Sequence, residues 1–91
     1  MNTDDRAILV LERMKVLEPL TIDLKDESPG HIGHAGNTGG SYFHLTLISA
    51  IFENKSRIER HRMILDLVSD LIPQEIHAFR ITAQTPSEVK K

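Results

Sequence analysis

All five glycines of this chain fall between Gly30 and Gly40, in the run Ser28-Pro29-Gly30-His31-Ile32-Gly33-His34-Ala35-Gly36-Asn37-Thr38-Gly39-Gly40. Glycine loses more backbone entropy on ordering than any other residue, so a run this rich either moves or is held by something outside itself. It also divides the 91 residues into two glycine-free stretches whose hydrophobic periodicity can be read without interruption.

Upstream, residues 3–17 read as a helix. Asn2 or Thr3 can cap it, and Asp4 and Asp5 sit where the helix dipole favours carboxylates. Ala7, Val10/Leu11, Met14 and Leu17 recur at the spacing of one buried face, and Pro19 ends the element. Residues 20–26 then alternate, with Leu20, Ile22 and Leu24 on one side, as in a half-buried strand.

Downstream, a second strand is predicted over 42–49, with Phe43, Leu45 and Leu47 on one face and Ile48 breaking the alternation, as expected of a central strand. Phe52-Glu53-Asn54-Lys55 makes a turn, and Ser56-Arg57-Ile58-Glu59 is a capping box that opens a helix running to about Ile72. Its apolar stripe is read as Ile58, His61, Leu65, Val68 and Ile72, widened by Met63 or Ile64, Leu67 and Leu71; Pro73 stops it. A third strand over 76–82 places Ile76, Ala78 and Arg80 on one face and His77, Phe79 and Ile81 on the other. Thr85-Pro86 can start a last helical turn.

The composition narrows the chemistry. There is no cysteine, so the chain holds neither disulfide nor thiolate of its own, and any metal chemistry must use histidine and carboxylate or borrow sulfur from a partner. No stretch approaches the roughly 18 apolar residues of a membrane span. Met1-Asn2-Thr3-Asp4-Asp5 is acidic where a signal peptide would be basic, so a cytoplasmic location is expected. A formal charge of −2 argues against a dedicated nucleic-acid binder.

Topology then brings histidines together. Two strands joined directly pair antiparallel, and a helical crossover normally returns a parallel strand. The long loop and the start of the third strand fall at the same sheet edge, so His31 and His34 are drawn toward His77. A connection from 28 to 41 also far exceeds the about two to five residues of an ordinary hairpin loop, and long loops in small domains tend to carry function.

Asp26-Glu27-Ser28 before a His/Gly loop, Phe52-Glu53-Asn54-Lys55, Arg60-His61-Arg62 and Ile76-His77-Ala78-Phe79 occur in an order and spacing that resembles the BolA family, and His31-Ile32-Gly33-His34-Ala35-Gly36-Asn37 is similar to the loop of its histidine-type members. The resemblance runs from about residue 6 to Glu88. It implies one α+β domain over 1–91, related to the second class of KH domains: α-β-β-α-α-β, with helices packed on one face of a three-stranded mixed sheet. The loop 28–41 is expected to be flexible and the tail 84–91 partly disordered. It further implies a non-enzymatic protein that pairs with a monothiol glutaredoxin of the Cys-Gly-Phe-Ser type and shares a [2Fe–2S] cluster that also uses glutathione. The family's cluster histidine matches His77; the second ligand matches His31 by its offset from Asp26-Glu27-Ser28, with His34 the other candidate. The chain departs from the family at Asn54, usually glycine, and at Val89, usually tryptophan.

Other constellations compete. Lys55, Arg57, Arg60 and Arg62 form a basic cluster that could meet DNA, phosphate or an acidic partner face, so the alternative function is a DNA-binding transcriptional regulator; the opposing reading is a solvated helix face with ion pairs such as Glu53–Arg57. A KH domain clamps nucleic acid with a GxxG between helices, whereas here every GxxG lies in the strand–strand loop. Asp26, Ser28 and His31 lack the rigid support a hydrolytic triad needs. Three histidines without cysteine make a poor zinc site. His61 is expected to be at least half-buried on its helix, and His44 on the solvent side of the second strand. Neither a membrane nor a small-molecule substrate is expected.

Overall fold

The computed structural model describes residues 2–27 and 40–89. Six regular elements follow in order: α1 (Thr3–Met14), β1 (Thr21–Asp26), β2 (Ser41–Ile48), α2 (Arg57–Val68), β3 (Ile76–Gln84) and α3 (Pro86–Val89). Where two helices are expected between β2 and β3, a 3-10 turn at Ala50–Phe52 precedes α2. Of the predicted flexible loop, residues 28–39 lie outside the described residues; Gly40 is buried and Ser41 opens β2. The predicted tail closes β3 and forms α3, with 90 and 91 outside the described residues.

The sheet has the order β1-β2-β3. β1 runs antiparallel to β2, Leu24 opposite Leu45, and β2 runs parallel to β3, Leu45 opposite Ile81. The mixed α+β architecture is therefore as expected, and β2 is the central strand. One sheet face (Ile22 and Leu24; Phe43, Leu45 and Leu47; Phe79, Ile81 and Ala83) packs against Val10, Met14 and Leu17 from the α1 segment and Ile64, Val68 and Leu71 from the α2 segment. Each fully buried aliphatic or aromatic side chain contributes about 1.5–3 kcal/mol. The other face, with Tyr42, His44, Thr46 and Ile48, is half-buried.

α1 buries the expected Val10, Met14 and Leu17 with Arg6 added, whereas α2 buries a stripe rotated from the expected one. On α2 the buried residues are Arg60, Ile64 and Val68, continued by Leu71, while Ile58 is 65% exposed and Leu65 lies near the surface. On α1 they are Arg6, Val10 and Met14, continued by Leu17. Both stripes begin with an arginine, which a hydrophobicity pattern assigns to solvent. Each guanidinium is accommodated because it meets a carboxylate. Arg6 Nε donates to Glu75 Oε1 at 2.8 Å, and the Arg60 terminal nitrogens donate to the two Glu88 oxygens at 2.8 and 3.0 Å.

Local signals set the ends. Asn2 caps α1, accepting from the Asp5 amide. Ser56 and Glu59 form the expected capping box of α2. Thr85 and Glu88 repeat that exchange on α3, Thr85 N–H donating to Glu88 Oε1 and Glu88 N–H to Thr85 Oγ1. Asn54 takes φ 65, the left-handed conformation that asparagine tolerates in place of glycine.

Candidate functional site

Parallel pairing puts the first residues of β2 and β3 side by side, and His77 occupies that edge. Ser41 pairs with Ile76 but Tyr42 pairs with Ala78, so His77 is an extra residue, a β-bulge. Sequence alternation grouped Ile76 with Ala78 and Arg80, and His77 with Phe79 and Ile81. The bulge overturns both groupings. Ile76 is fully buried and joins Phe79, Ile81 and Ala83 in the core, while His77 is exposed. Unbroken alternation could not bury Ile76 and Phe79 together; the inserted residue absorbs the mismatch and re-aims one side chain.

The His77 ring rests against Tyr42, with centroids 5.0 Å apart and planes inclined by 46°. Gly40 lies directly against the same residue. A Cβ at position 40 would stand 3.1 Å from His77 Cβ and 2.9 Å from the Gln74 carbonyl oxygen. At the other end of the undescribed segment, Glu27 N–H donates to the Tyr42 carbonyl at 2.6 Å. Both residues that flank 28–39 are thus fastened at the edge that carries His77. His31 and His34 lie outside the described residues.

The edge is braced from beneath. Besides Glu75, Arg6 donates from Nη1 to Ser41 Oγ at 3.1 Å, and Ser41 Oγ shares a 2.8 Å hydrogen bond with Thr3 Oγ1. Ser41 N–H donates to the Glu75 carbonyl at 3.0 Å. Arg6 therefore ties together the residue after Gly40 and the residue two before His77. Its hydrogen bond and charge hold the Glu75 carboxyl below the usual carboxylate range. Sequence reasoning missed Arg6 and Glu75; the one local signal is that Arg6 stands four residues before Val10, in line with the buried stripe.

Across the half-buried face, Lys25, His44 and Arg80 are directly opposite one another on the three strands. Arg80 Nη1 donates to Glu27 at 3.3 Å, and His44 Nε2 lies 3.0 Å from Thr82 Oγ1.

The predicted basic cluster does not assemble. Arg60 is 7% exposed: besides Glu88, it donates to the carbonyls of Lys55 and Ala83, and its guanidinium carbon lies 6.0 Å from the Phe52 ring centre. Its guanidinium is engaged inside the fold rather than presented to a nucleic acid. Lys55 is half-buried; Arg57 and Arg62 are exposed, but five residues on a helix place them about 140° apart. Glu53 accepts from Ser87 Oγ rather than pairing with Arg57. His61 is half-buried beside a cavity of about 460 Å³ between α2 and the end of β3. Among the described residues no group of three or more histidines, cysteines or carboxylates is arranged to hold a metal ion, and no helix is long and apolar enough to cross a membrane.

Residues 14–88 match the family model described as BolA-like protein. The chain is 37% identical over 91 residues to SufE-like protein 1, chloroplastic/mitochondrial, of Arabidopsis thaliana, covering 92% of this chain and 24% of that protein. A solved structure of the BolA domain of SufE1 from the same plant superposes with a TM-score of 0.78 at 37% identity, covering 91% of this chain and 94% of that one. The protein from Haemophilus influenzae called DNA-binding transcriptional regulator BolA is 30% identical over 85 residues, 93% of this chain and 81% of its own length. Several other curated relatives are matched over little more than half their length.

Proposed function

The chain belongs to the BolA family, and from that premise we propose that it pairs with a monothiol glutaredoxin of the Cys-Gly-Phe-Ser type and co-ligates a [2Fe–2S] cluster through His77 and one of His31 or His34. The role is one of binding and cluster handling, not catalysis, in iron–sulfur assembly, trafficking or iron regulation, with the cytoplasm as its compartment. The observation that carries the reading is His77 itself: an exposed imidazole re-aimed by a bulge, at the edge where both flanks of the histidine segment are fastened. A cysteine-free chain contributes no thiolate, so the partner and glutathione must supply the thiolates. Imidazole in place of thiolate raises a cluster's reduction potential.

The test is visible absorption and circular dichroism after anaerobic mixing with the glutaredoxin, iron, sulfide and glutathione. Wild type would give a spectrum distinct from that of the glutaredoxin alone. His77→Ala and one of His31→Ala or His34→Ala would abolish it. An unchanged glutaredoxin spectrum with folded wild-type protein overturns the reading.

A second reading, a DNA-binding regulator, draws on the name of the Haemophilus influenzae relative and on exposed Arg57 and Arg62. It predicts salt-sensitive affinity for duplex DNA, because phosphate contacts release counterions, and it requires loss on reversing Arg57 or Arg62. Binding undetectable at micromolar protein in about 200 mM salt excludes it.

A further inference from the structure

β3 lies at one side of the sheet, so one of its edges has no neighbouring strand among the described residues. The Gln84 carbonyl accepts from Ser49 N–H on the β2 side. Strand alternation then turns the backbone groups of Ala78, Arg80, Thr82 and Gln84 toward β2, and those of Phe79, Ile81 and Ala83 outward. The outward Ala83 carbonyl accepts from Arg60 and the Thr85 N–H donates to Glu88, so the far end of this edge is sealed from within. The N–H and C=O of Phe79 and Ile81 and the N–H of Ala83 find no partner among the described residues. Proteins commonly blunt such an edge with charge or cover it. On β1 the matching device is visible in Asp23 and Lys25; between Phe79 and Ala83 the one charge is Arg80.

A cavity of about 460 Å³ adjoins the Ile81–Gln84 part of β3 and is lined as well by Arg57, Arg60 and His61 of α2. Arg60 and Glu88 neutralise each other on its inner side. Arg57 and the half-buried His61 also line it, and Arg57 makes no ion pair with any described residue.

We propose that the outer edge of β3 is a docking site for an extended, acidic peptide segment of a partner protein, which adds to the sheet as a further strand and sets a carboxylate against Arg57. Main-chain hydrogen bonds along Phe79, Ile81 and Ala83 supply affinity, and the cationic wall supplies selectivity. The alternation of donors and acceptors decides the occupant's class. A peptide strand offers both, whereas a phosphate backbone offers acceptors only and would strand the carbonyls of Phe79 and Ile81. A second copy of the chain would bring the Arg57 and Arg80 cations of two molecules to one seam. The inference stands apart from the shared-cluster reading, since the cavity and Arg57 lie beside Ile81 to Gln84, at the end of β3 away from His77.

The experiment follows amide hydrogen exchange of the full chain with a short blocked peptide alternating valine and glutamate, and with its lysine counterpart. The acidic peptide is expected to protect the Phe79, Ile81 and Ala83 amides, and the lysine peptide to bind at least roughly tenfold more weakly. Arg57→Glu lowers the acidic peptide's affinity by about tenfold. Ile81→Pro removes an N–H that the native sheet does not use, and abolishes binding. Should that variant fail to fold, N-methylation of the peptide backbone on the wild-type protein must produce the same loss. The proposal is overturned by equal binding of both peptides or by no protection at millimolar peptide. It is equally overturned by protection centred on Tyr42 and His77, by a DNA duplex protecting these amides in the peptide's place, or by a peptide-free dimer that protects them.

Discussion

A side chain placed on Gly40 would begin 3.1 Å from the Cβ of His77, so the last residue of the glycine run and the candidate cluster ligand are packed backbone to side chain. Glycine is required here by the neighbours rather than by an unusual φ. Gly40→Ala is expected to destabilise the domain by about 1–3 kcal/mol, as overpacking does. It should also displace the His77 ring resonances. Chemical denaturation with a two-dimensional NMR spectrum checks both; a silent Gly40→Ala would mean the edge is looser than described.

His77 itself is exposed, so His77→Ala should change the unfolding free energy by no more than about 0.5 kcal/mol. This separates ligand loss from unfolding in the cluster experiment. A variant that lacks the heterodimer spectrum yet melts like wild type identifies a ligand; one that melts early identifies a structural residue.

Arg6→Met removes the brace under the edge while keeping a long apolar stem. The Ser41 amide should exchange faster and the His77 environment should shift, because Arg6 holds Ser41 and Glu75 at that edge. Glu75→Gln should reproduce part of the effect, because it leaves the hydrogen-bonding shape but removes the charge. Exchange rates at Ser41 identical to wild type in both variants would count against the brace.

Arg60 and Glu88 lend themselves to a pH test. The hydrogen bonds and charge of Arg60, with the Thr85 amide, hold the Glu88 carboxyl at about 2 against an ordinary 4.5. A depressed carboxyl contributes stability that is fully present above 4.5 and is lost as the pH falls through about 2. Acid unfolding of wild type should therefore steepen across that window, and Glu88→Gln should flatten it. Arg60→Lys should not rescue Arg60→Ala, since an ammonium cannot serve both carboxylate oxygens and the Ala83 and Lys55 carbonyls from one planar fork.

The α2 stripe gives a direct contrast. Ile64→Ala at a fully buried site should cost about 2–5 kcal/mol, and Ile58→Ala at an exposed one no more than about 0.5 kcal/mol. The reverse order would restore the stripe that periodicity alone suggests.

The chain's own local grammar determined much of this protein. Helix caps at Asn2 and Ser56, the alternation through Leu45, the turn at Asn54 and the Thr85-Pro86 start are each decided by residues within a few positions of one another, so they are legible without a fold. The strand order and pairing followed from connection rules, and with them the placement of Glu27 and Gly40 at the edge that carries His77. Tertiary structure alone decided which face of α2 is buried, because Arg60 goes inside only when Glu88 and the Ala83 carbonyl, distant in sequence, meet it there. It alone decided the bulge at His77, because the phase of β3 is set by two separate demands of the core, Ile76 at one end and Phe79 to Ala83 at the other. Desolvating a charge and interrupting a ladder are both unfavourable locally. Only the assembled core supplies the partners that offset them, and those partners cannot be read from spacing.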